Sequence, residues 1–141
     1  MLVIDIQTKT LNGNKRVFIG TKRVTTIQYC YTRLYRKVLL WETSKRWDTL
    51  LHELSCKIER FLSRRNISNC YASYVRSNGG SLDLCLSRAD PYLLILIKEC
   101  SYKCSSICET CGKKATIVGD NFNKKALCKK CFKKEFHVQK L

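Results

Sequence analysis

Two Cys-x-x-C pairs near the end of the chain, Cys108-Glu109-Thr110-Cys111 and Cys128-Lys129-Lys130-Cys131, constrain what it can fold into more than any other feature. A tight turn brings the two sulfurs of such a pair to one ion, and two pairs complete the four thiolate ligands of a tetrahedral structural zinc site. The 16 residues between the pairs fall in the spacing range of zinc sites. Gly112 permits the knuckle turn after the second cysteine. Ala115-Thr116-Ile117-Val118 and Phe122 to Leu127 read as a short hairpin around Gly119-Asp120-Asn121, and a basic helix follows from Cys128 to about His137. Knuckle, hairpin and a helix carrying the second pair make a treble-clef arrangement. The pattern predicts one structural Zn2+ held by Cys108, Cys111, Cys128 and Cys131. The competing reading, two redox pairs, lacks the βαβ context such motifs occupy. His137 is a conceivable substitute ligand, but four cysteines suffice.

The chain has ten cysteines in 141 residues, a density that first suggests a secreted disulfide scaffold. The N-terminus, MLVIDIQTKTLNGNKR, has no basic region followed by an apolar stretch and a cleavage site. The chain is also not loop-rich. The expectation is therefore a soluble protein of the reducing cytoplasm, with no membrane span. Cys30, Cys56, Cys70, Cys85, Cys100 and Cys104 are expected as free thiols packed in the core. Cys100 and Cys104 can share a helix face with Cys108, which leaves open a second metal site.

Ahead of the cysteine pairs the pattern is mixed. Residues 2–20 read as a hairpin turning at Asn12-Gly13. Residues 23–41 are ambiguous. Val24, Thr25, Thr26 and Ile27 favour a strand beginning near Arg23, whereas Ile27, Tyr31, Leu34, Val38 and Trp41 follow helical spacing; the strand is the reading adopted. Residues 45–64 form a helix capped by Thr43 or Ser44, with Trp47, Leu50, Leu51, Leu54, Ile58, Phe61 and Leu62 on one stripe; His52 falls at its boundary. A hairpin spans 70–86, with Leu82, Leu84 and Leu86 alternating along its second strand. Asp90-Pro91 opens a helix over 91–106, its inner side carrying Leu93, Leu94, Ile97, Cys100 or Ser101, and Cys104. The order predicts an α+β fold, with a core over 1–107 and a zinc module over 108–141 packed on it.

The charge narrows the partners. Lys and Arg number 27 against 11 acids, a net of +16, which attracts polyanions. The last 34 residues hold nine lysines and three acids. The doublets Lys113-Lys114, Lys124-Lys125, Lys129-Lys130 and Lys133-Lys134 suit phosphate contact better than base-edge readout. Arg33, Arg36 and Lys37 interleave with Tyr29, Tyr31 and Tyr35, a pattern suited to stacking on single strands. The plainer alternatives are that the lysines solubilise a zinc knuckle and that the tyrosines line a core. A saturated zinc site leaves no position for water, the two histidines are far apart and the acids are scattered, so no catalysis and no small-molecule substrate are expected. The expected partner is nucleic acid or a nucleoprotein complex. The alternative is an acidic protein surface, met by an inhibitor or adaptor that docks on a host or viral machine.

Residues 46–131 resemble a group of small uncharacterised phage and prophage proteins. The shared layout is a Trp-led helix (Trp47-Asp48-Thr49-Leu50-Leu51), a Gly-Gly hairpin (Gly79-Gly80-Ser81-Leu82), the stretch Ser105-Ser106-Ile107-Cys108-Glu109-Thr110-Cys111-Gly112, and a closing Cys128-Lys129-Lys130-Cys131. The hairpin departs from the group's Lys-Phe-Gly-Gly-Leu-Arg pattern, reading Arg76-Ser77-Asn78-Gly79-Gly80-Ser81-Leu82. The resemblance implies a zinc-bearing fold of viral or mobile-element origin, and no particular activity.

Overall fold

Mixed helices and strands follow one another in the computed structural model, which describes residues 26–88, 90–120 and 122–140. The expected hairpin at 2–20 lies outside the described residues. The elements in chain order are α1 (Thr26–Cys30), α2 (Thr32–Tyr35), β1 (Leu40–Glu42), a 3-10 turn (Lys45–Trp47), α3 (Asp48–Arg64), β2 (Ala72–Asn78), β3 (Ser81–Leu86), α4 (Pro91–Cys104), β4 (Thr116–Val118), β5 (Lys125–Leu127) and α5 (Lys129–Lys140). The fold is α+β, as expected, with sheets β1-β2-β3 and β4-β5.

The stretch read as a strand from Arg23 is corrected over its described part: Thr26–Cys30 and Thr32–Tyr35 are helical, and among the described residues the first strand is Leu40–Glu42. Burial decides against β-branched composition. Helical spacing puts Ile27, Leu34 and Tyr35 in the core, where a strand would turn neighbours to opposite sides. The Tyr35 hydroxyl meets Ser55 Oγ at 2.5 Å, and Ser55 in turn donates to the Leu51 carbonyl at 2.7 Å. Burial pushes the Tyr35 phenol far up from its ordinary pKa. Tyr35 is thus a core residue, not a stacking platform. Tyr31 is half-buried, its hydroxyl 2.7 Å from Nδ1 of the exposed His52.

The apolar stripe of α3 behaves as its spacing predicts, burying Leu51, Leu54, Ile58 and Leu62. Ser44 caps the 3-10 turn that leads into α3, its Oγ accepting from the Arg46 amide at 3.0 Å. By crossing between β1 and β2, α3 lets them pair in parallel, which a tight turn cannot do. The β2–β3 hairpin turns at Gly79 and Gly80, with φ of 64° and 87°. A register shift at Ser73 resets the alternation, so that Ala72 and Val75 both face the core.

Asp90 caps α4 through the amides of Tyr92 and Leu93. Its inner face is Leu93, Leu96, Cys100 and Cys104; Leu94, expected inside, is half-exposed. The packing of cysteines also divides. Cys70, Cys100 and Cys104 are buried, Cys56 and Cys85 are half-buried, and Cys30 is exposed, which corrects the core assignment for these last three. None of the ten is joined in a disulfide. Cys100 donates to the Leu50 carbonyl at 3.6 Å, and hydrogen bonding to Cys100, then burial, pushes the Cys104 thiol far up. No helix among the described residues is long and apolar enough to cross a membrane.

The two faces of α4 yield a direct check. Leu96→Ala should lower unfolding free energy by about 2–4 kcal/mol in urea titrations. Leu94→Ala should cost less than about 1 kcal/mol. Equal losses would show that α4 is rotated from this arrangement.

Candidate metal centre

Each cysteine pair is shaped by backbone bonds before any ion is considered. The Cys108 amide donates to the Lys113 carbonyl at 2.7 Å, and the Gly112 amide donates to the Cys108 carbonyl at 2.9 Å. This closes a knuckle whose final residue, Gly112, has φ of 82°. The Cys111 amide points at Cys108 Sγ and the Cys131 amide at Cys128 Sγ, each at 3.5 Å. Strands β4 and β5 then fold the chain back, and Cys128 sits immediately before α5, with Cys131 in its first turn. A Cβ at Gly119 would meet the Asn123 carbonyl oxygen at 2.1 Å, so only glycine fits this turn.

The result is that the four sulfurs of Cys108, Cys111, Cys128 and Cys131 lie within 4.8 Å of one another. Cys111 Sγ and Cys128 Sγ are 3.6 Å apart. Sulfurs about 2.3 Å from a shared tetrahedral ion stand roughly 3.8 Å from each other, so the quartet fits a four-thiolate metal centre. Burial pushes the Cys108 thiol up, but amide donors from Cys111, Cys128 and Thr110 outweigh it and bring it down to about 6. The Cys131 amide likewise lowers the Cys128 thiol. Hydrogen bonding to Cys128 instead pushes Cys131 up to about 12. Packed thiols share protons because neighbouring thiolates repel, and a divalent cation removes that conflict.

Contacts that spacing did not reveal anchor the knuckle. Glu109, inside the first pair, uses one carboxylate oxygen to accept from the Ala126 amide at 2.9 Å and the other from Ser77 Oγ at 3.2 Å. Its own amide donates to the Ala126 carbonyl at 2.8 Å. Ser44 donates to the Glu109 carbonyl, Arg46 Nε to the Thr110 carbonyl at 3.3 Å, and Trp47 Nε1 to the Ile107 carbonyl at 3.3 Å. A Cβ on Gly80 would stand 3.0 Å from the Ala126 nitrogen. The tip of the β2–β3 hairpin therefore presses on β5. The available signal for Glu109 was its sign, an acid among lysines. The other two acids of the segment are also engaged: Asp120 accepts from the amides of Phe122 and Asn123, and Glu135 pairs with Lys125 at 2.8 Å.

The basic residues separate into three groups. Lys113 and Lys114 from the knuckle and Lys129, Lys130 and Lys134 from α5 line one cleft of about 820 Å3 beside the sulfurs. Lys124 and Lys133 are exposed outside its lining, and Lys125 is taken by Glu135. Arg33, Arg36 and Lys37 serve other contacts. Arg33 reaches Glu59 at 3.8 Å, and Arg36 donates to the Arg33 carbonyl at 2.6 Å. Arg36 and Lys37 both lie over the Tyr71 ring.

No family model, curated protein or solved structure matches the chain.

Glu109→Ala should leave the Ala126 amide unpaired and lower stability by about 1–3 kcal/mol, with the bound metal retained. Chemical denaturation and metal analysis of the same sample check this. Loss of the metal with the carboxylate would make Glu109 part of the coordination, contrary to its hydrogen bonds.

Proposed function

We propose that this chain is a non-catalytic, zinc-stabilised basic protein of the cytoplasm that binds nucleic acid or a nucleoprotein complex through the cleft beside its metal centre. The observation that carries the reading is the convergence of Lys113, Lys114, Lys129, Lys130 and Lys134, from two separate elements, on one concavity. Zinc is favoured as the metal because four thiolates suit a borderline-soft ion that needs no open position. The resemblance in layout to phage-borne proteins agrees with a mobile-element origin.

The electrostatics give the cleft a definite surplus. A divalent ion among four thiolates leaves two negative charges, and Glu135 at the rim is paired with Lys125. The five lysines of the cleft exceed the two by three. Lys129 and Lys130 also stand in the first turn of α5, where no acid is present and the helix dipole already repels cations. Positive charge is thus gathered where helix stability disfavours it, which supports a role in holding an anion. Lysine presents a point charge, so the contacts suit phosphate rather than base edges.

A second reading, docking on a host or viral protein, draws on exposed apolar side chains of the β4–β5 hairpin. Phe122 is 99% exposed and Ile117 43%, more than a solvated turn needs. Nuclease digestion separates the two, because a protein-docked complex survives it.

Two outcomes are expected. Protein purified without added metal should contain one equivalent of zinc, and a strong chelator should unfold residues 108–140 with its removal, since coordination energy is folding energy here. Replacing Lys129, Lys130 and Lys134 together by Gln should reduce the slope of log affinity against log salt by about 2–3 on duplex DNA. The control pair Lys124→Gln and Lys133→Gln should change it by less than about 1. An unchanged slope in the triple variant would remove the cleft from nucleic-acid binding.

A further inference from the structure

A basic-aromatic surface does exist, at a place the tyrosine-rich stretch 29–37 did not indicate. The C-terminal half of α3 and the first turn of α4 enclose a cleft of about 570 Å3, a size ordinary for small-ligand pockets. Its aromatic wall is Phe61 and Tyr92, with ring centroids 4.9 Å apart and planes inclined by 30°. Lys57, Arg60 and Arg64 recur along α3 at three- and four-residue intervals and so share a face. Arg65 completes the rim, its guanidinium 5.1 Å from the Phe61 centroid.

Four cations therefore meet one carboxylate, Asp90. That carboxylate is already committed to capping α4, accepting from the Tyr92 amide at 2.9 Å and the Leu93 amide at 3.4 Å. Among the described residues the ion pairs are Arg33–Glu59, Arg76–Asp83 and Lys125–Glu135, so none neutralises this rim. Tyr92 remains 49% exposed, leaving part of its ring free to meet a ligand.

We infer that this cleft is a nucleotide-binding subsite for single-stranded nucleic acid. A base stacks against the Tyr92–Phe61 wall while its flanking phosphates meet Arg60, Arg64, Arg65 and Lys57. A planar ring beside a cationic rim matches a nucleotide, which carries a π-face and an anion a few bonds apart. A duplex keeps its bases stacked inside, so it can offer this cleft only phosphates. The inference does not depend on the metal-side lysines, which belong to other elements.

The test uses the full-length, zinc-loaded protein and a short fluorescein-labelled oligothymidylate. The comparison probe is an abasic strand of equal length and charge. Wild-type protein should bind the thymidylate roughly tenfold more tightly, within the range expected for base–aromatic stacking. Tyr92→Ala should abolish that preference while retaining binding to the abasic strand, and Tyr92→Phe should restore it. Arg60→Gln with Arg64→Gln should weaken both strands. Equal affinity of the wild type for the two strands, or a preference that survives in Tyr92→Ala, would overturn the inference. The two sites fail separately. If the Lys129, Lys130 and Lys134 variant keeps its salt slope while Tyr92→Ala loses base preference, the metal-side reading falls and this one stands.

Discussion

Four cysteine sulfurs held within 4.8 Å of one another are an unfavourable arrangement for bare thiolates and a favourable one around a divalent cation. The elements C-terminal to α4 are arranged around that quartet. Strands β4 and β5 have three residues each, too few to be stable as an isolated hairpin. Helix α5 has 12 residues and a first turn of lysines, so its own propensity is marginal. The knuckle, hairpin and helix acquire a common origin only where Cys108, Cys111, Cys128 and Cys131 meet.

The centre is also tied to the rest of the molecule by bonds in several directions. Ser44, Arg46 and Trp47, in and just before the 3-10 turn that leads into α3, reach three backbone carbonyls of the knuckle, those of Glu109, Thr110 and Ile107 respectively. Glu109 reaches outward to Ser77 and Ala126. Cys108, Ala126 and Leu127 share one buried cluster with Trp47, Leu51 and Val75. The 3-10 turn before α3 is therefore both the start of the main helix and the seat of the metal centre. The tryptophan at its end serves both: its ring is fully buried, and its N–H satisfies a carbonyl that leads into the first ligand.

Local chemistry made the metal centre readable in advance. Two spaced pairs, a glycine after the first, and a turn at Gly119 each impose their geometry within a few residues. Helices α3 and α4 were equally plain because caps and apolar stripes coincide. Residues 26–35 were misread because β-branched side chains and helical spacing pointed in opposite directions. The deciding facts were distant: Ser55 accepting Tyr35, and Glu59 accepting the Leu34 amide at 3.1 Å. Leu94 was placed inside where Leu96, two residues on, is the buried side chain; both Leu93-Leu94-Ile97 and Leu93-Leu96-Cys100 satisfy helical spacing. Glu109 was hidden for a related reason, since its partners Ser77 and Ala126 are remote in sequence. Likewise, only the packing of α3 on α4 brings Phe61 to Tyr92.

The net charge is not spread evenly over function. Lys125, Arg33 and Arg76 are spent on ion pairs, and Arg36 and Lys37 lie over Tyr71. Of the other described cations, five lysines line the metal-side cleft and four cations the α3–α4 cleft, while Lys124 and Lys133 are among those exposed outside both; the two clefts depend on elements being held where they are. The central claim is that four thiolates alone complete the metal's coordination. X-ray absorption at the zinc edge of the protein as purified tests it most directly. The account predicts a single shell of four sulfurs at about 2.3 Å. A nitrogen or oxygen ligand in that shell, or no zinc edge at all, would contradict it.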